Sequence, residues 1–299
     1  MHAVLSLDGG GIRGCLQARL LQRLEHRVPG FLAAPQLLAG TSIGGINALW
    51  LAAGKPIEGL LAVYTDRAKD IFASRGLLDA ITPDELWRAD FGHEGIYGVL
   101  TDVFGDLRME QLQRDVLIPT FDMREWNPKF YERDDDGVLV RDVARMTSAA
   151  PTYWPSHLWS LDGGLFANNP SDSAVATVLR ARRQAGAPEQ GLSDAVSCLS
   201  IGTGEVPHKP PSAGPTWDAG LAAVAPLLLN VVMDGAVKAS HFRTQQALNG
   251  RYHRLQPQLA SSIDLKDVAK VPELLQVADM TNLDATVSWI ERTWGLKRA

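Results

Sequence analysis

The chain has 299 residues, of which 45% are hydrophobic and 21% are charged. This apolar content is enough for a sizeable core and excludes a disordered chain. The formal net charge is −5, and acidic and basic residues are interspersed along the chain. We therefore expect no nucleic-acid partner, because proteins that bind nucleic acids concentrate positive charge.

The first part of the chain predicts two successive units of strand, tight turn and helix. An apolar run over residues 4–7 stops at three glycines, and leucines then recur at helical spacing up to Pro29. A second apolar run over residues 37–39 enters Gly40, and residues 46–53 have helical composition. This alternation is typical of an α/β fold.

The same alternation continues along the rest of the chain. Further apolar runs lie at residues 116–118, 158–161 and 196–201, and helical stretches such as residues 173–182 separate them. We therefore predict a three-layer α/β/α sandwich with a mostly parallel central sheet. Residues 1–299 are interpreted as a single domain.

The cysteines and the apolar segments predict a reducing compartment and no membrane span. Cys15 and Cys198 each lie beside apolar residues, which is typical of buried free thiols. The longest apolar stretch, residues 221–233, is shorter than the about 20 residues that cross a bilayer and is interpreted as a buried helix. The start of the chain lacks a signal-peptide pattern, so we expect a cytoplasmic protein. The proline-rich residues 207–215 are interpreted as a surface loop.

Residues 40–44, Gly-Thr-Ser-Ile-Gly, match the nucleophile-elbow pattern Gly-x-Ser-x-Gly. In that turn, small residues flank a serine between a strand and a helix, so that its hydroxyl projects from the sheet edge. The helix N-terminus would stabilise an oxyanion that forms beside the serine. We therefore predict Ser42 as a nucleophile, with a plain strand-to-helix turn as the alternative.

Residues 8–14, Asp-Gly-Gly-Gly-Ile-Arg-Gly, follow the first predicted strand. Glycines let consecutive backbone N–H groups turn toward one anion, so this loop suits either an oxyanion hole or a phosphate cradle. Gly9, Gly11 and Gly14 also satisfy the dinucleotide-binding fingerprint. That fingerprint requires an acidic residue at the end of the second strand, where residues 40–42 are Gly-Thr-Ser instead.

A serine nucleophile needs a base, and an aspartate is the better candidate here. None of the seven histidines lies in a recognisable catalytic context, and His253 is the one late candidate for a histidine-based esterase. Asp162 ends an apolar run before Gly163 and Gly164, so we expect it at the same sheet edge as Ser42. A structural turn aspartate is the alternative. A lone carboxylate acts as such a base only in a partly dry site.

Together, these three blocks resemble the signature blocks of the patatin-like phospholipases, in that family's order. Four further stretches are also similar to bacterial members: residues 146–151, 168–170, 201–204 and 252–255. The resemblance implies a three-layer α/β fold and hydrolysis of acyl esters in lipids by a Ser-Asp dyad, without a metal or other cofactor. Carried over residue by residue, Ser42 is the nucleophile and Asp162 the base. The oxyanion-hole residues are Gly9, Gly10 and Gly11.

The resemblance also bears on binding partners. Arg13 matches the arginine of the family's glycine block, where it either braces the loop or meets a lipid phosphate. We expect a lipid or ester substrate and a peripheral contact with a membrane surface, to which aromatic side chains would contribute. The aromatic candidates are Trp87, Phe91, Trp126, Phe130, Trp154 and Trp159. Trp154 and Trp159, with Tyr153 and Leu158, could instead line an acyl-chain pocket, and core packing is the alternative for at least two of these four.

Two other functions stay open at this point. One is a nucleotide- or phosphate-binding regulatory module that uses the glycine loop, with Ser42 as a turn residue. The other is a phospholipase effector activated by a small ligand, which the resemblance to bacterial relatives allows.

Overall fold

The structure, a computed structural model, describes residues 1–72, 92–206 and 221–299. The strands in these residues are β1 (His2–Leu7), β2 (Leu37–Gly40), β3 (Asp115–Asp122), β4 (Asn127–Glu132), β5 (Ser160–Asp162), β6 (Val196–Ile201) and β7 (Tyr252–Leu255). They form one sheet in the order β4-β3-β2-β1-β6-β7, with β5 also paired to β3. β4 and β5 run antiparallel to β3, and the other pairings are parallel.

Helices pack on both faces of this sheet. They are α1 (Gly14–Arg27), α2 (Ile43–Ala52), α3 (Ile57–Asp66), α4 (Ala68–Ile71), α5 (His93–Phe104), α6 (Val140–Thr147), α7 (Gly164–Ala167), α8 (Ser171–Gln184), α9 (Leu221–Leu248), α10 (Val271–Met280) and α11 (Asp284–Trp294). Side chains alternate between the two faces of a strand. Leu5 and Leu7 of β1 belong to a core shared with α1, α2 and α10, whereas Val4 belongs to a second core with α8. The predicted three-layer sandwich is confirmed.

The two predicted strand–turn–helix units are present at the centre of the molecule. β1 leads through a short 3₁₀ turn, Gly11–Arg13, into α1, whose Leu16, Leu20 and Leu24 are all buried. These leucines recur every four residues and therefore form one stripe along the helix. β2 leads directly into α2, and β1 and β2 pair in parallel. The carboxyl ends of both strands therefore lie at the same edge of the sheet.

The strand predicted over residues 158–161 is wrong in its first half. β5 begins at Ser160, and Leu158 and Trp159 form a turn before it. Their side chains are 56% and 64% exposed. An apolar run alone does not distinguish a buried strand from an apolar turn, because both lack the alternation of polar residues that would locate a strand.

The helix predicted over residues 221–233 lies within α9. Met233 is buried, but Val231 and Val232 are 56% and 44% exposed, so the predicted burial is wrong at these two positions. No helix of the described residues is both long enough and apolar enough to span a membrane.

Both cysteines, Cys15 and Cys198, are buried and free, as predicted. The proline-rich loop at residues 207–215 lies outside the described residues, and so do Trp87 and Phe91.

Candidate active site

Ser42 lies at the sharp turn between β2 and α2. Its backbone has φ 55° and ψ −124°, a conformation that residues other than glycine rarely adopt. A Cβ atom on Gly40 would lie 2.1 Å from the carbonyl oxygen of Gly44, and one on Gly44 would lie 2.3 Å from that of Leu7. Both glycines of the Gly-x-Ser-x-Gly pattern are therefore required by close packing around the serine.

Thr147, at the end of α6, holds this strained turn. The backbone N–H of Ser42 donates to Oγ1 of Thr147 (3.0 Å), and that hydroxyl donates to the carbonyl oxygen of Pro119 in β3 (2.7 Å). Thr147 thereby links the turn of Ser42 to β3. Residues 146–151 were singled out only by resemblance, because a contact across 105 positions leaves no local pattern in the sequence.

Asp162 lies at the end of β5, where it pairs with Thr120 of β3. β3 is the neighbour of β2, so Asp162 comes beside Ser42 at the sheet edge. The Asp162 side chain is buried, with 2% exposed, and its Oδ1 accepts a hydrogen bond from the N–H of Gly164 (2.6 Å). Burial raises the pKa of Asp162 to about 7, whereas hydrogen bonds from Ser42 and Gly164 and the charge of Arg145 act to lower it.

The second carboxylate oxygen of Asp162, Oδ2, is buried and has no hydrogen-bond partner of good geometry among the described residues. Ser42 acts as a hydrogen-bond donor to lower the pKa of this carboxyl, which indicates that its hydroxyl lies near the carboxylate. Buried carboxylate oxygens are nearly always paired. Catalytic hydrogen bonds are often long before substrate binds, which is consistent with an oxygen ready to accept the serine proton.

A buried cation lies close enough to Asp162 to affect its charge. Arg145 of α6 is 0% exposed, and its Nη2 donates to the carbonyl oxygen of Pro155 (2.8 Å). Its Nε and Nη1 have no hydrogen-bond partner among the described residues. Burial lowers the pKa of Arg145 to about 10, and the charge of Asp162 opposes that shift. Sequence reasoning missed this residue because nothing local marks a helical arginine as buried.

The glycine loop, residues 8–14, lies directly beside the serine. A Cβ atom on Gly9 would be 3.2 Å from the Cβ of Ser42. The N–H of Gly9 already donates to the carbonyl oxygen of Asn168 (3.0 Å). Among the hydrogen bonds of the described residues, the N–H groups of Gly10 and Gly11 have no acceptor. The free backbone donors beside Ser42 are therefore those of Gly10 and Gly11, not that of Gly9.

Two arginines brace this loop. Arg254 of β7 donates from Nη1 to Oδ1 of Asp8 (2.8 Å) and from Nη2 to Oδ2 (2.5 Å). Burial acts to lower the pKa of Arg254, but the charge of Asp8 and the hydrogen bonds to it outweigh burial and raise that pKa. Nε of Arg13 donates to the carbonyl oxygen of Gly10 (3.3 Å), and burial lowers the pKa of Arg13. Of the two roles predicted for Arg13, bracing the loop or meeting a lipid phosphate, this structure has the contact that braces the loop.

No histidine whose side chain is described here hydrogen-bonds to Ser42 or Asp162. His253, the late candidate, lies on β7, where its Nε2 is 2.9 Å from Oγ1 of Thr286 and its ring stacks on Trp289. No three His, Cys, Asp or Glu side chains of the described residues lie together in a way that could hold a metal ion.

An apolar pocket begins at the residue that follows Ser42. It is a narrow pocket between α2, α3, α4 and α5. Among the described residues, no charged side chain lines it. The lining residues are Ile43, Ile46, Trp50, Leu60, Val63, Tyr64, Ile71, Ile96, Val99, Leu100 and Val103.

Comparison with known proteins agrees with this geometry. The chain is 31% identical to a cGAMP-activated phospholipase of Vibrio cholerae, over 92% of this chain and 88% of that one. It is 26% identical to Protein teg of Priestia megaterium, over 98% and 99% of the two chains. Among solved structures, VipD from Legionella pneumophila matches with a TM-score of 0.41 and 12% identity, over 93% of this chain and 66% of VipD. The family described as patatin-like phospholipase matches residues 5–175, which is more than half of the chain. The chain therefore belongs to the patatin-like phospholipase family.

Proposed function

We propose that this protein is a serine acyl hydrolase that cleaves carboxylic ester bonds of lipids with a dyad of Ser42 and Asp162. The observation that carries the proposal is the buried Oδ2 of Asp162, which has no hydrogen-bond partner of good geometry among the described residues, beside the strained Ser42. A carboxyl with its pKa raised to about 7 binds a proton far more readily than an ordinary aspartate. It is therefore suited to act as a general base near neutral pH.

In the proposed reaction, Ser42 gives its proton to Asp162 while Oγ attacks the ester carbonyl carbon. The oxyanion that forms accepts hydrogen bonds from the N–H groups of Gly10 and Gly11. Collapse of this intermediate breaks the ester bond, and the leaving alcohol takes the proton from Asp162. Water, deprotonated by Asp162, then attacks the acyl-enzyme, the bond to Oγ breaks, and Oγ takes the proton from Asp162 as the fatty acid leaves.

The surroundings of the dyad support an ester with an apolar acyl chain. The pocket along α2 starts at Ile43, next to the nucleophile, and offers apolar surface to such a chain. A phosphate cradle is less well supported, because the N–H groups of Gly9 and Ile12 already donate to backbone carbonyl oxygens. Only two adjacent donors then remain in the loop, which is the usual number for an oxyanion hole.

The proposal is tested by comparing the wild type with Ser42→Ala on mixed phospholipid vesicles in the presence of a chelator. Mass spectrometry of released fatty acids and lysolipids should show turnover by the wild type and a loss of about a thousandfold or more in Ser42→Ala. Ser173→Ala, on α8 and outside the site, is the matched control and should retain full activity. Turnover by Ser42→Ala at the wild-type rate contradicts the proposed dyad. Turnover that requires an added cyclic dinucleotide identifies a ligand-activated effector, as the name of the Vibrio relative describes for that protein.

A further inference from the structure

Three large apolar side chains lie in solvent beside the candidate active site. Trp126 is 76% exposed, Leu158 is 56% exposed and Trp159 is 64% exposed. We call these three residues the aromatic patch. All have positive φ, at 54°, 47° and 63° respectively. Bulky residues are rarely found with positive φ, so both the backbone conformation and the exposure of these side chains are unfavourable for folding.

Leu158 and Trp159 occupy the two central positions of a tight hairpin turn. The backbone groups of His157 and Ser160 close it with two hydrogen bonds, of 3.2 Å and 2.9 Å. Two-residue turns with positive φ at both positions strongly favour Asn-Gly. A Leu-Trp pair in such a turn is not explained by folding stability, which indicates a function for the two side chains.

Trp126 joins the same surface from the hairpin between β3 and β4. The N–H of Met123 in that hairpin donates to the carbonyl oxygen of Trp159 (2.8 Å), so the two turns lie side by side. The ring of Trp126 packs edge-on against Phe121, with 5.5 Å between ring centroids. The patch is therefore formed by two turns that support each other.

The patch projects from the sheet edge at which Ser42 lies. Asp162 pairs with Thr120, whereas Ser160 pairs with Asp122, so the turn at Leu158 and Trp159 extends past Asp162 in the forward direction of β3. Three residues of strand correspond to about 10 Å. The turn that carries Leu158 and Trp159 therefore extends about 10 Å beyond Asp162, toward solvent.

The size and charge of the patch identify what it contacts. Two tryptophans and a leucine expose roughly 400 Å², about half of what each partner buries in a stable protein complex. A second copy of the chain would therefore find too little area here. Arg124, the one Lys or Arg in the two turns, pairs with Asp122 (3.1 Å), so no basic cluster is present to attract nucleic acid or anionic lipid. Tryptophan favours the interface between water and lipid headgroups.

We propose that the aromatic patch docks the protein on the surface of a phospholipid bilayer. Trp126, Leu158 and Trp159 insert at the headgroup level, and an acyl ester of the same surface then reaches Ser42. This inference rests on the proposed function for its substrate, but the docking itself is independent of catalysis. Because it depends on apolar side chains, it operates on zwitterionic lipid and is insensitive to salt.

The test measures co-sedimentation with phosphatidylcholine vesicles, using Ser42→Ala so that the lipid stays intact. The double variant Leu158→Asn/Trp159→Gly creates the preferred turn sequence, so its melting temperature should equal or exceed that of the wild type. Its vesicle binding should fall by about tenfold. Met280→Ser, which removes an apolar side chain 78% exposed at the end of α10, is the control and should bind normally.

Activity distinguishes failure of docking from failure of the proposed chemistry. In the catalytically intact chain, the double variant should lose about tenfold in hydrolysis of vesicle lipid and keep its turnover of soluble p-nitrophenyl butyrate. If the wild type binds vesicles but hydrolyses neither substrate, the proposed function is contradicted and the docking is not. Docking is overturned if the double variant binds vesicles like the wild type, if high salt removes the binding, or if the substitutions abolish a dimer instead.

Discussion

The carboxyl group of Asp162 experiences opposing influences, and their balance sets the pH at which the proposed base works. Burial favours the protonated form, whereas the hydroxyl of Ser42, the N–H of Gly164 and the charge of Arg145 favour the carboxylate. The pKa of about 7 that results lies well above the ordinary value of 3.8. The sequence placed Asp162 and Ser42 together through resemblance and spacing, but it could not give this pKa, because burial and the position of Arg145 depend on packing.

Activity should rise with pH through about 7 and then level off, since only the carboxylate can accept the serine proton. Arg145→Met removes a positive charge that lowers the pKa of Asp162, so its pH profile should shift to higher pH. Arg141→Met, one turn earlier on α6 and paired with Asp106 instead, should leave the midpoint unchanged. The measurement is kcat/KM against pH on a soluble ester. Identical midpoints for the two variants would falsify a role for Arg145.

The raised pKa of Asp162 also predicts how the stability of the fold depends on pH. The pKa of Asp162 is higher in the folded protein than in the unfolded chain. The resulting contribution to the stability of the fold is therefore fully present below about pH 4 and is lost as pH rises through about 7. Asp162→Asn should therefore be inactive but more stable than the wild type above pH 7, by about 2–4 kcal/mol. Urea denaturation at acidic and alkaline pH checks the sign. A variant that is less stable at alkaline pH would show that the buried carboxylate is well compensated.

At the scale of elements, the turn from β2 to α2 requires close packing between the start of α2, at Gly44, and the end of β1. Gly44→Ala would place a Cβ atom 2.3 Å from the carbonyl oxygen of Leu7 and 2.5 Å from that of Asp8. We expect it to destabilise the fold by about 1–3 kcal/mol and to displace Ser42. Gly98→Ala, in α5 with open space around the site, should instead stabilise it by about 0.5–1 kcal/mol. Thermal denaturation of both variants measures the difference, and equal effects would contradict the packing argument.

Elements with a periodic local pattern were predicted well, and those defined by distant partners were not. β1, α1, β2 and α2 follow from apolar runs and glycines that are adjacent in the sequence. The antiparallel pairing of β4 and β5 with β3 did not, because the turn between β3 and β4 lacks an Asn-Gly signal and β5 pairs with a strand that is distant in the sequence. Leu158 and Trp159 were interpreted as part of a strand, because an apolar pair in a turn resembles one. Contact of Trp159 with a membrane surface was predicted only as one of several roles.

At the scale of the whole molecule, the site is assembled from the two ends of the chain. Asp8 at the end of β1 forms its buried ion pair with Arg254, 246 positions later in β7. Within the loop, Ile12 donates to the carbonyl oxygen of Leu265 (2.8 Å), and Thr203 donates to that of Gly9 (3.0 Å). The late residues therefore fix the geometry of the candidate oxyanion hole.

Arg254→Met should leave Asp8 as a buried charge without a partner, at a cost of about 3–5 kcal/mol. Adding Asp8→Asn should recover much of that loss, because the unpaired charge is gone. Arg180→Met, which breaks an exposed pair with Glu132 (2.6 Å), is the control and should cost less than about 1 kcal/mol. Urea denaturation compares the three. If Arg254→Met costs no more than Arg180→Met, the ion pair does not hold the loop.

The ion pair between Asp8 and Arg254 also determines the stage of synthesis at which the candidate site can be completed. The nucleophile turn leaves the ribosome early, but the glycine loop lacks its partners until residues 254 and 265 have been synthesised. Until then, a nascent chain carries Ser42 without a completed site. The proposed hydrolysis of lipid esters therefore has to wait for the synthesis of these later residues.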